Sequence, residues 1–497
     1  MHAQEHGRST ADISSVSHLT SQRGHAMSTT EMTNTADAPG SKSHGRLHPV
    51  LIALAVMLAA ALLTHLIPAG KFQREGTHVV PGTYQVIPKE GGLAALLSPS
   101  VPKANESPAH AAGAVSLFAA IPSGFVAQAP LIFMLMFAGG TFGVLRATGA
   151  LDAAIDDLLH VSSGNAYVLV TGAILLIACG ATFMGFSSEY VAIMPIVLSL
   201  TRRLKFPNLV AAAIVVLGAD IGYIASVTNP NALAVAQPLA GVPIFSGIPS
   251  RLAIFVVMLG LGLGYVMFYL HRLPKADYIP GAKRMTVRQT RVLIALVLGG
   301  GALVAGTSIW AWRHTEQAAA FLALSLLISM AGGMRLSNAA DALIDGMKSM
   351  VLPIIMIGLG GAVGVILESS QIQDSIVQDL ANLIQGQPHA AVTAGLMISE
   401  MMFGILIHSV SAKAAVSIPI LAPIAHLSGV SGQLTVTAML LGSGLINIVS
   451  PTNGLLLAFL AAAKVNYVVW LKFVLPLFIV LCVVGFTALF LLTALGG

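Results

Sequence analysis

Two short polar motifs interrupt stretches of the chain that are otherwise apolar, and their hydroxyl and amide groups could bind an ion or a carboxylate. The first is Ser226–Asn231 and the second is Ser450–Gly454, and each position of the second lies 224 residues after its counterpart in the first. Each motif contains proline, glycine or both, which break helices by removing a backbone donor or by costing conformational entropy. The candidate binding residues are their polar side chains, Thr228, Asn229, Asn231, Ser450, Thr452 and Asn453.

The apolar stretches around the two motifs, residues 208–239 and 433–463, are each long enough to cross a bilayer. Unpaired backbone groups are costly in hydrocarbon, so a broken membrane helix is tolerated where it lines a cavity, as in secondary transporters. A half-helix that starts at the break directs its positive end to the cavity and suits a carboxylate, and one that ends there offers carbonyls to a cation. The alternative is that these side chains only cap the helix ends.

A second pair of polar segments lies at turns between apolar runs, one within residues 165–205 and one within residues 389–426. Glu189 and Lys413 are equivalent positions, again 224 residues apart. Charges at membrane depth are costly and usually functional, so Lys413 is a candidate for holding a substrate carboxylate and Glu189 for a cation or proton. The alternatives are that both tips face water or that the two charges pair with each other. The candidate residues at these turns are Ser187, Ser188, Glu189, Ser411 and Lys413.

Asp220 lies about two helical turns before the first break and is a candidate proton or sodium ligand, although it could equally serve only the local structure. We rank Glu368, Glu400 and His408 below it. The sequence favours no enzyme: it has no Walker loop, and an intramembrane aspartyl protease would need a second aspartate in a matched span. We expect no cofactor beyond a coupling ion, Na⁺ or H⁺.

The composition is that of a membrane protein. Of the 497 residues, 56% are hydrophobic and only 9% are charged, whereas soluble domains carry about 25% charged residues. The net charge of +5 comes from basic residues in short loops, where they set topology, so it does not indicate a nucleic-acid partner. The two cysteines lie in apolar spans without a metal-ligand spacing partner, so we expect neither a disulfide framework nor a metal site.

The chain divides into two similar halves. Residues 1–47 form a polar tail predicted to be disordered, with Met1 and Met27 both possible translation starts. The first half, 48–271, contains a hairpin at 165–205 and a broken helix at 208–239. A basic linker, 272–290, precedes the second half, 291–497, with a hairpin at 389–426 and a broken helix at 433–463. We interpret the hairpins as re-entrant loops; two full spans with a tight turn are the alternative.

The basic residues also predict the orientation. Arg146, Arg202, Arg203, the linker cluster and Lys464 fall on one side of this arrangement, which the positive-inside rule makes cytoplasmic. The N-terminus is then cytoplasmic, the two repeats have opposite orientations, and each face receives one hairpin. The predicted fold is an all-α polytopic protein of the cytoplasmic (inner) membrane, built from two inverted repeats, each with a re-entrant hairpin and a broken transmembrane helix.

Several stretches resemble a known family. They are Phe133–Leu151, Gly180–Pro195, Ser226–Gly247, Pro419–Pro423, Ser450–Lys464 and Trp470–Phe473. Nearly everything after residue 45 resembles the YfcC family, which belongs with the DcuC-like anaerobic carriers of four-carbon dicarboxylates in the ion transporter superfamily. The resemblance implies a transporter and a homodimer. It leaves the substrate open, because related carriers are described for dicarboxylates and for basic amino acids.

The first tip departs from better-known members of the superfamily. Dicarboxylate and citrate carriers have Ser-Asn-Thr where this chain has Ser187-Ser188-Glu189, so their sodium-site assignments do not carry over directly. We therefore predict a secondary transporter that moves a small carboxylate, with a dicarboxylate as the leading candidate, coupled to sodium or protons by alternating access. A basic amino-acid exchanger of the arginine/ornithine type is the alternative, and a channel ranks third.

Overall fold

A computed structural model describes most of the chain. It covers residues 48–76, 78–97, 107–274, 285–407 and 409–495. The predicted tail, 1–47, lies outside the described residues, as does most of the predicted basic linker, 272–290.

The described part of the first half is mainly helical. Their bounds are α1 Pro49–Leu66, α2 Gly92–Leu96, α3 Ala114–Ala127, α4 Ala129–Ala147, α5 Ala150–Val161, α6 Ala166–Cys179, α7 Tyr190–Arg203, α8 Asn208–Ala225, α9 Pro230–Leu239 and α10 Ile248–His271. A single π-helical turn, Gly180–Met184, extends α6.

The second half repeats much of this order. Its helices are α11 Val287–Ile309, α12 His314–Ala331, α13 Leu336–Lys348, α14 Val351–Ser369, α15 Gln373–Ile384, α16 His389–Leu406, α17 Val410–Leu427, α18 Gly432–Asn447, α19 Gly454–Ala463 and α20 Tyr467–Ala494. In the described part of the chain, ten helical segments are long and apolar enough to cross a membrane. The prediction of a mainly helical, multi-pass membrane protein is therefore confirmed.

The polar stretch between α1 and α3 contains six two-residue strands in its described residues. They are β1 Gly70–Lys71, β2 Arg74–Glu75, β3 His78–Val79, β4 Gln85–Val86, β5 Lys89–Glu90 and β6 Ala109–His110. β1 pairs with β4 and β2 with β3, both antiparallel, whereas β5 and β6 are parallel. Asp374 of α15 fixes this loop by accepting from the Phe72 amide at 2.9 Å and pairing with Arg74 at 2.7 Å.

The two longest buried segments are the helices that precede the breaks. Every residue from Val210 to Ala225 of α8 is buried, and so is every residue from Leu434 to Leu445 of α18. An apolar helix can be stable in lipid or inside a protein, and the complete burial of these two shows that other helices surround them. α8 and α18 pack against each other, α6 and α7 surround α8, and α16 and α17 surround α18. These two helices form the centre of the molecule and carry the breaks at their inner ends.

Small residues bring α4 and α13 close together. Glycine and other small residues allow the backbones of membrane helices to approach closely. A Cβ added to Gly143 would lie 2.3 Å from the carbonyl oxygen of Ala342 and 2.7 Å from the Cα atom of Gly346. Only glycine fits at such a distance, so α4 is held tightly against α13.

Each half contains a helix pair joined by a short polar turn. α6 with its π-turn is joined to α7 by residues 185–189, and α16 is joined to α17 by residues 407–409. α16 and α17 each have 18 residues, which suits a full span as well as a tilted re-entrant arm. The re-entrant form and the inverted orientation of the repeats therefore remain predictions.

Candidate functional site

The first break ends α8 in a left-handed turn and begins α9 with a side-chain cap. Ser226 has φ +40° and ends the helix, and its hydroxyl donates to the Tyr223 carbonyl at 2.6 Å. Asn229 is the N-cap of α9: its Oδ1 accepts from the Asn231 amide at 3.0 Å, while its Nδ2 donates to Ser226 Oγ at 3.1 Å. Pro230 at the first helical position has the fixed φ that a helix start requires.

The π-turn of the first hairpin supplies hydrogen-bond partners for the same break. The amide of Val227 donates to Thr182 Oγ1 at 3.0 Å, and the amide of Thr228 donates to the Thr182 carbonyl at 3.1 Å. The Thr228 hydroxyl donates to the Phe183 carbonyl, and Asn231 Nδ2 donates to the Gly185 carbonyl, both at 3.1 Å. The break and the hairpin tip therefore form one hydrogen-bonded unit. Isolated π-turns are frequent at functional sites, which agrees with this placement.

The second break has a similar cap and different supports. Asn453 accepts from the Leu455 amide at 3.0 Å and donates to the Asn447 carbonyl at 3.2 Å. The hydroxyls of Ser450 and Thr452 lie 2.5 Å apart. The carbonyls of the break are bound from α20, where Trp470 Nε1 donates to Ile448 and the Tyr467 hydroxyl donates to Val449.

Both breaks reach a cavity of about 810 Å³. α9 and α19 begin at its wall, and both hairpin tips contribute to it. The loop between α1 and α3 also lines it, through Lys71 and Arg74. Of the predicted site residues, those that line the cavity are Ser187, Ser188, Glu189, Asn229, Asn231 and Asn453. Those outside the lining are Asp220, Thr228, Ser411, Lys413, Ser450 and Thr452.

Glu189 lines the cavity and is tied to α12. Its Oε1 accepts from Gln317 Nε2 at 3.0 Å, and its Oε2 accepts from the Ser187 amide at 2.9 Å and the Ser188 hydroxyl at 3.4 Å. Gln317 is buried and also donates to Thr307 Oγ1 at 3.2 Å. Gln317 was not identified from the sequence. The available signal was an amide side chain near the start of an apolar span.

Lys413 is buried and directed away from the cavity. It is only 2% exposed, and it interacts electrostatically with Glu400 of α16, which is also buried. Among the described residues no ion pair joins Lys413 to Glu189, so these two charges do not pair with each other. The neighbouring Ser411 connects the second tip to the first break, because its hydroxyl donates to the Asn231 carbonyl at 3.2 Å.

A second residue that the sequence reasoning missed is Arg251. It lies near the start of α10 and is fully buried, and its Nη2 donates to the Val227 carbonyl at 3.2 Å. Its Nε and Nη1 have no hydrogen-bond partner in the part of the chain that the structure describes. A positive charge at the end of α8 is favourable because the C-terminus of a helix carries partial negative charge. The only signal in the sequence for a functional role of Arg251 was its position as a single arginine at the start of an apolar span.

Central helices that break at a cavity lined by polar side chains, in a chain whose described residues include ten apolar helical segments, define a multi-pass membrane transporter. The family described as the C4-dicarboxylate anaerobic carrier, DcuC, matches residues 48–494. The chain therefore belongs to the DcuC family, as its sequence motifs indicated.

Two curated relatives match most of the chain. One is the Escherichia coli (strain K12) protein named "Putative basic amino acid antiporter YfcC", 28% identical over 369 residues, which are 69% of this chain and 73% of the relative. The other is an uncharacterized protein of Haemophilus influenzae, 24% identical over 426 residues, which are 82% of this chain and 80% of the relative.

Two solved structures are also similar. The crystal structure of the Alcanivorax borkumensis YdaH transporter aligns with 90% of this chain and 99% of its own, at 18% identity and a TM-score of 0.42. The structure of Neisseria gonorrhoeae MtrF, from a class of antimetabolite efflux pumps, aligns with 89% of this chain and 94% of its own, at 16% identity and a TM-score of 0.40.

Proposed function

We propose that the protein is a secondary active transporter of a small carboxylate, with a dicarboxylate as the favoured substrate. It works in the cytoplasmic membrane by alternating access and couples transport to Na⁺ or H⁺. The observation that carries the proposal is that α9 and α19 both start at the wall of one cavity, at Asn229 and Asn453. Helix starts carry partial positive charge, so two of them facing one cavity suit a ligand with two carboxylates.

The charges of the cavity favour one alternative, an exchanger of basic amino acids. Glu189 and Glu368 contribute carboxylates to the lining, next to Lys71 and the Arg74–Asp374 pair. A wall with both signs of charge also suits an amino acid with a positively charged side chain. The name of the Escherichia coli relative points to the same class.

Melting curves of the purified protein separate the two substrate classes. A ligand that binds only the native state stabilises it by RT ln(1 + [L]/Kd), about 2.7 kcal/mol at a concentration of one hundred times Kd. We expect four-carbon dicarboxylates to raise the melting temperature and arginine and ornithine to leave it unchanged. The reverse result would replace the proposal by the amino-acid exchanger, and no response to either class would contradict both.

Counterflow in reconstituted vesicles then tests the mechanism. Vesicles loaded with unlabelled dicarboxylate should accumulate labelled dicarboxylate transiently against its gradient, because a carrier exchanges one molecule for another through alternating states. A channel gives simple equilibration without an overshoot. If dicarboxylates stabilised the protein but the vesicles showed only equilibration, the substrate assignment would stand and the carrier mechanism would be wrong.

A further inference from the structure

Behind one wall of the cavity lies a group of buried polar side chains from four helices, which we name the Glu400 cluster. Its members are Asp220 and Tyr223 of α8, Glu400 of α16, Lys413 and Ser417 of α17, and Ser443 of α18. All are buried, and Glu400 is only 1% exposed. Glu400 interacts with the charge of Lys413 and lies near the hydroxyls of Ser417 and Ser443. Tyr223 lies near the Ser443 hydroxyl and interacts with the charges of Glu400 and Asp220.

Close packing of the helices leaves the Glu400 cluster little room. A Cβ on Gly442 of α18 would lie 2.9 Å from the Cβ of Glu400. A Cβ on Gly404 of α16 would lie 2.4 Å from the side chain of Ile446 of α18, and the ammonium nitrogen of Lys413 is 3.5 Å from the same point. The two glycines therefore allow α16 and α18 to pack closely beside Lys413.

Five oxygen atoms of the Glu400 cluster make no hydrogen bond of ordinary length and angle among the described residues. They are both carboxylate oxygens of Glu400 and the hydroxyl oxygens of Tyr223, Ser417 and Ser443. Buried polar atoms are rarely left unpaired, because each loses its contacts with water and gains nothing in return. Several such atoms in one place indicate a missing ligand, and all five are oxygens, the atoms that bind a hard cation or a proton.

The charges of the Glu400 cluster indicate that the missing ligand is positively charged. Asp220 and Glu400 can carry two negative charges, and Lys413 carries one positive charge. α8 contributes Tyr223 as a further titratable group and α18 contributes the neutral Ser443, while the described parts of α14, α15 and α20 place no charged group against Glu400. When Asp220, Glu400 and Lys413 are all charged, one negative charge has no counter-charge in the cluster, which is costly in the interior of a membrane protein. A single monovalent cation would balance it.

We propose that the Glu400 cluster binds one monovalent cation, H⁺ or Na⁺, with Glu400 as its negatively charged ligand. Tyr223 separates this site from the cavity, because the same residue lines the cavity and interacts with Glu400. The site would supply the coupling ion, and this coupling role rests on the transport function proposed above. Ion binding itself does not rest on it.

The test measures ion binding to the full-length purified protein without any substrate. Melting temperatures are recorded in NaCl, KCl and choline chloride at constant pH and ionic strength, and then over a pH series without sodium. We expect the wild type to melt at a higher temperature either in NaCl or at the lower pH values. A response to NaCl at constant pH identifies Na⁺, and a response to pH alone identifies H⁺.

Variants assign the response to the cluster. Glu400→Gln should lose the ion response, because the amide cannot bind the cation through a charge. The matched control is Glu75→Gln, which neutralises an exposed carboxylate in the loop between α1 and α3, outside the cavity lining and the Glu400 cluster, and should keep the response. The inference is wrong if the wild type responds to neither ion, or if Glu400→Gln responds as strongly as the wild type.

Lys413→Gln covers the case in which Glu400→Gln does not fold. Removing the ammonium leaves two negative charges in the Glu400 cluster, so the ion response should become larger than in the wild type. A purely structural Glu400–Lys413 pair predicts instead an equal loss of melting temperature in all salts and at all pH values. Because no substrate is present, these outcomes are independent of whether dicarboxylates bind.

Discussion

Asn229 and Asn453 occupy equivalent positions at the two breaks and illustrate how single residues serve both structure and binding. Each caps a helix start through its Oδ1, and each lines the cavity. The two hypotheses drawn from the sequence, a binding role and a capping role, are therefore compatible. Separating them requires substitutions that keep the cap and change the charge.

Asn453→Asp and Asn453→Ser provide this separation. Both residues are good N-caps, whereas Asn453→Ala would cost about 1 kcal/mol of stability through the lost cap. Aspartate adds a negative charge to the cavity wall, so we expect Asn453→Asp to bind a dicarboxylate at least tenfold more weakly, a loss of about 1.4 kcal/mol in binding free energy. Asn453→Ser should bind nearly as well as the wild type. Ligand-induced shifts in melting temperature give the measurement, and equal shifts for both variants would exclude this part of the wall from carboxylate binding.

At the scale of elements, the first hairpin and the first broken helix depend on each other. The break frees the amide of Val227, which is buried, and Thr182 of the π-turn accepts from it. The second break is instead held by Trp470 and Tyr467 of α20. The backbone groups at the two breaks therefore have different hydrogen-bond partners in the two halves, although the two motifs are alike in sequence.

Thr182→Val tests the dependence of the first break on the hairpin. Valine has nearly the same shape, so the main change is a buried Val227 amide without a partner, at a cost of about 1–3 kcal/mol. Thr182→Ser keeps the hydroxyl and should be close to the wild type in stability. Thermal unfolding in detergent measures both. If valine were as well tolerated as serine, the Val227 amide would have another partner and the Thr182 hydroxyl would not couple the two elements.

At the scale of the whole molecule, the cavity indicates which side of the protein is open. Its lining includes Lys71 and Arg74, from the loop between α1 and α3, and the predicted orientation with a cytoplasmic N-terminus puts this loop outside the cell. A carrier that works by alternating access needs a second state that opens to the other side. The orientation of the chain in the membrane therefore decides which side supplies the substrate in the arrangement described here.

Cysteine labelling tests this orientation. In a background with Cys179 and Cys482 replaced by serine, Met285→Cys should react with a membrane-impermeant reagent only after the membrane is opened. Glu75→Cys, in the loop between α1 and α3, should react in intact cells. The physical reason is the excess of lysine and arginine near the linker, which is retained on the cytoplasmic side. The opposite labelling pattern would reverse the orientation and exchange the faces of the two hairpins.

Much of the fold follows from local sequence. Ten apolar helical segments could be predicted from the length of apolar runs, because crossing a bilayer requires about 20 such residues. The breaks also follow from local signals: Asn229 with Pro230, and Asn453 with Gly454, act on the backbone within one turn and need no distant partner. The local sequence therefore predicts where the central helices end and which asparagine side chains cap the helices that follow.

Only the tertiary structure decides which polar residues meet. Glu189 and Lys413 are equivalent in the repeat, yet Glu189 binds Gln317 at the cavity, whereas Lys413 is buried opposite Glu400. Arg251 reaches the first break from another helix. These pairings join residues from 13 to 128 positions apart, and they depend on how helices rotate and pack around α8 and α18. Periodicity and motif spacing describe one helix at a time, so they carry no information about which side chain of a neighbouring helix lies opposite.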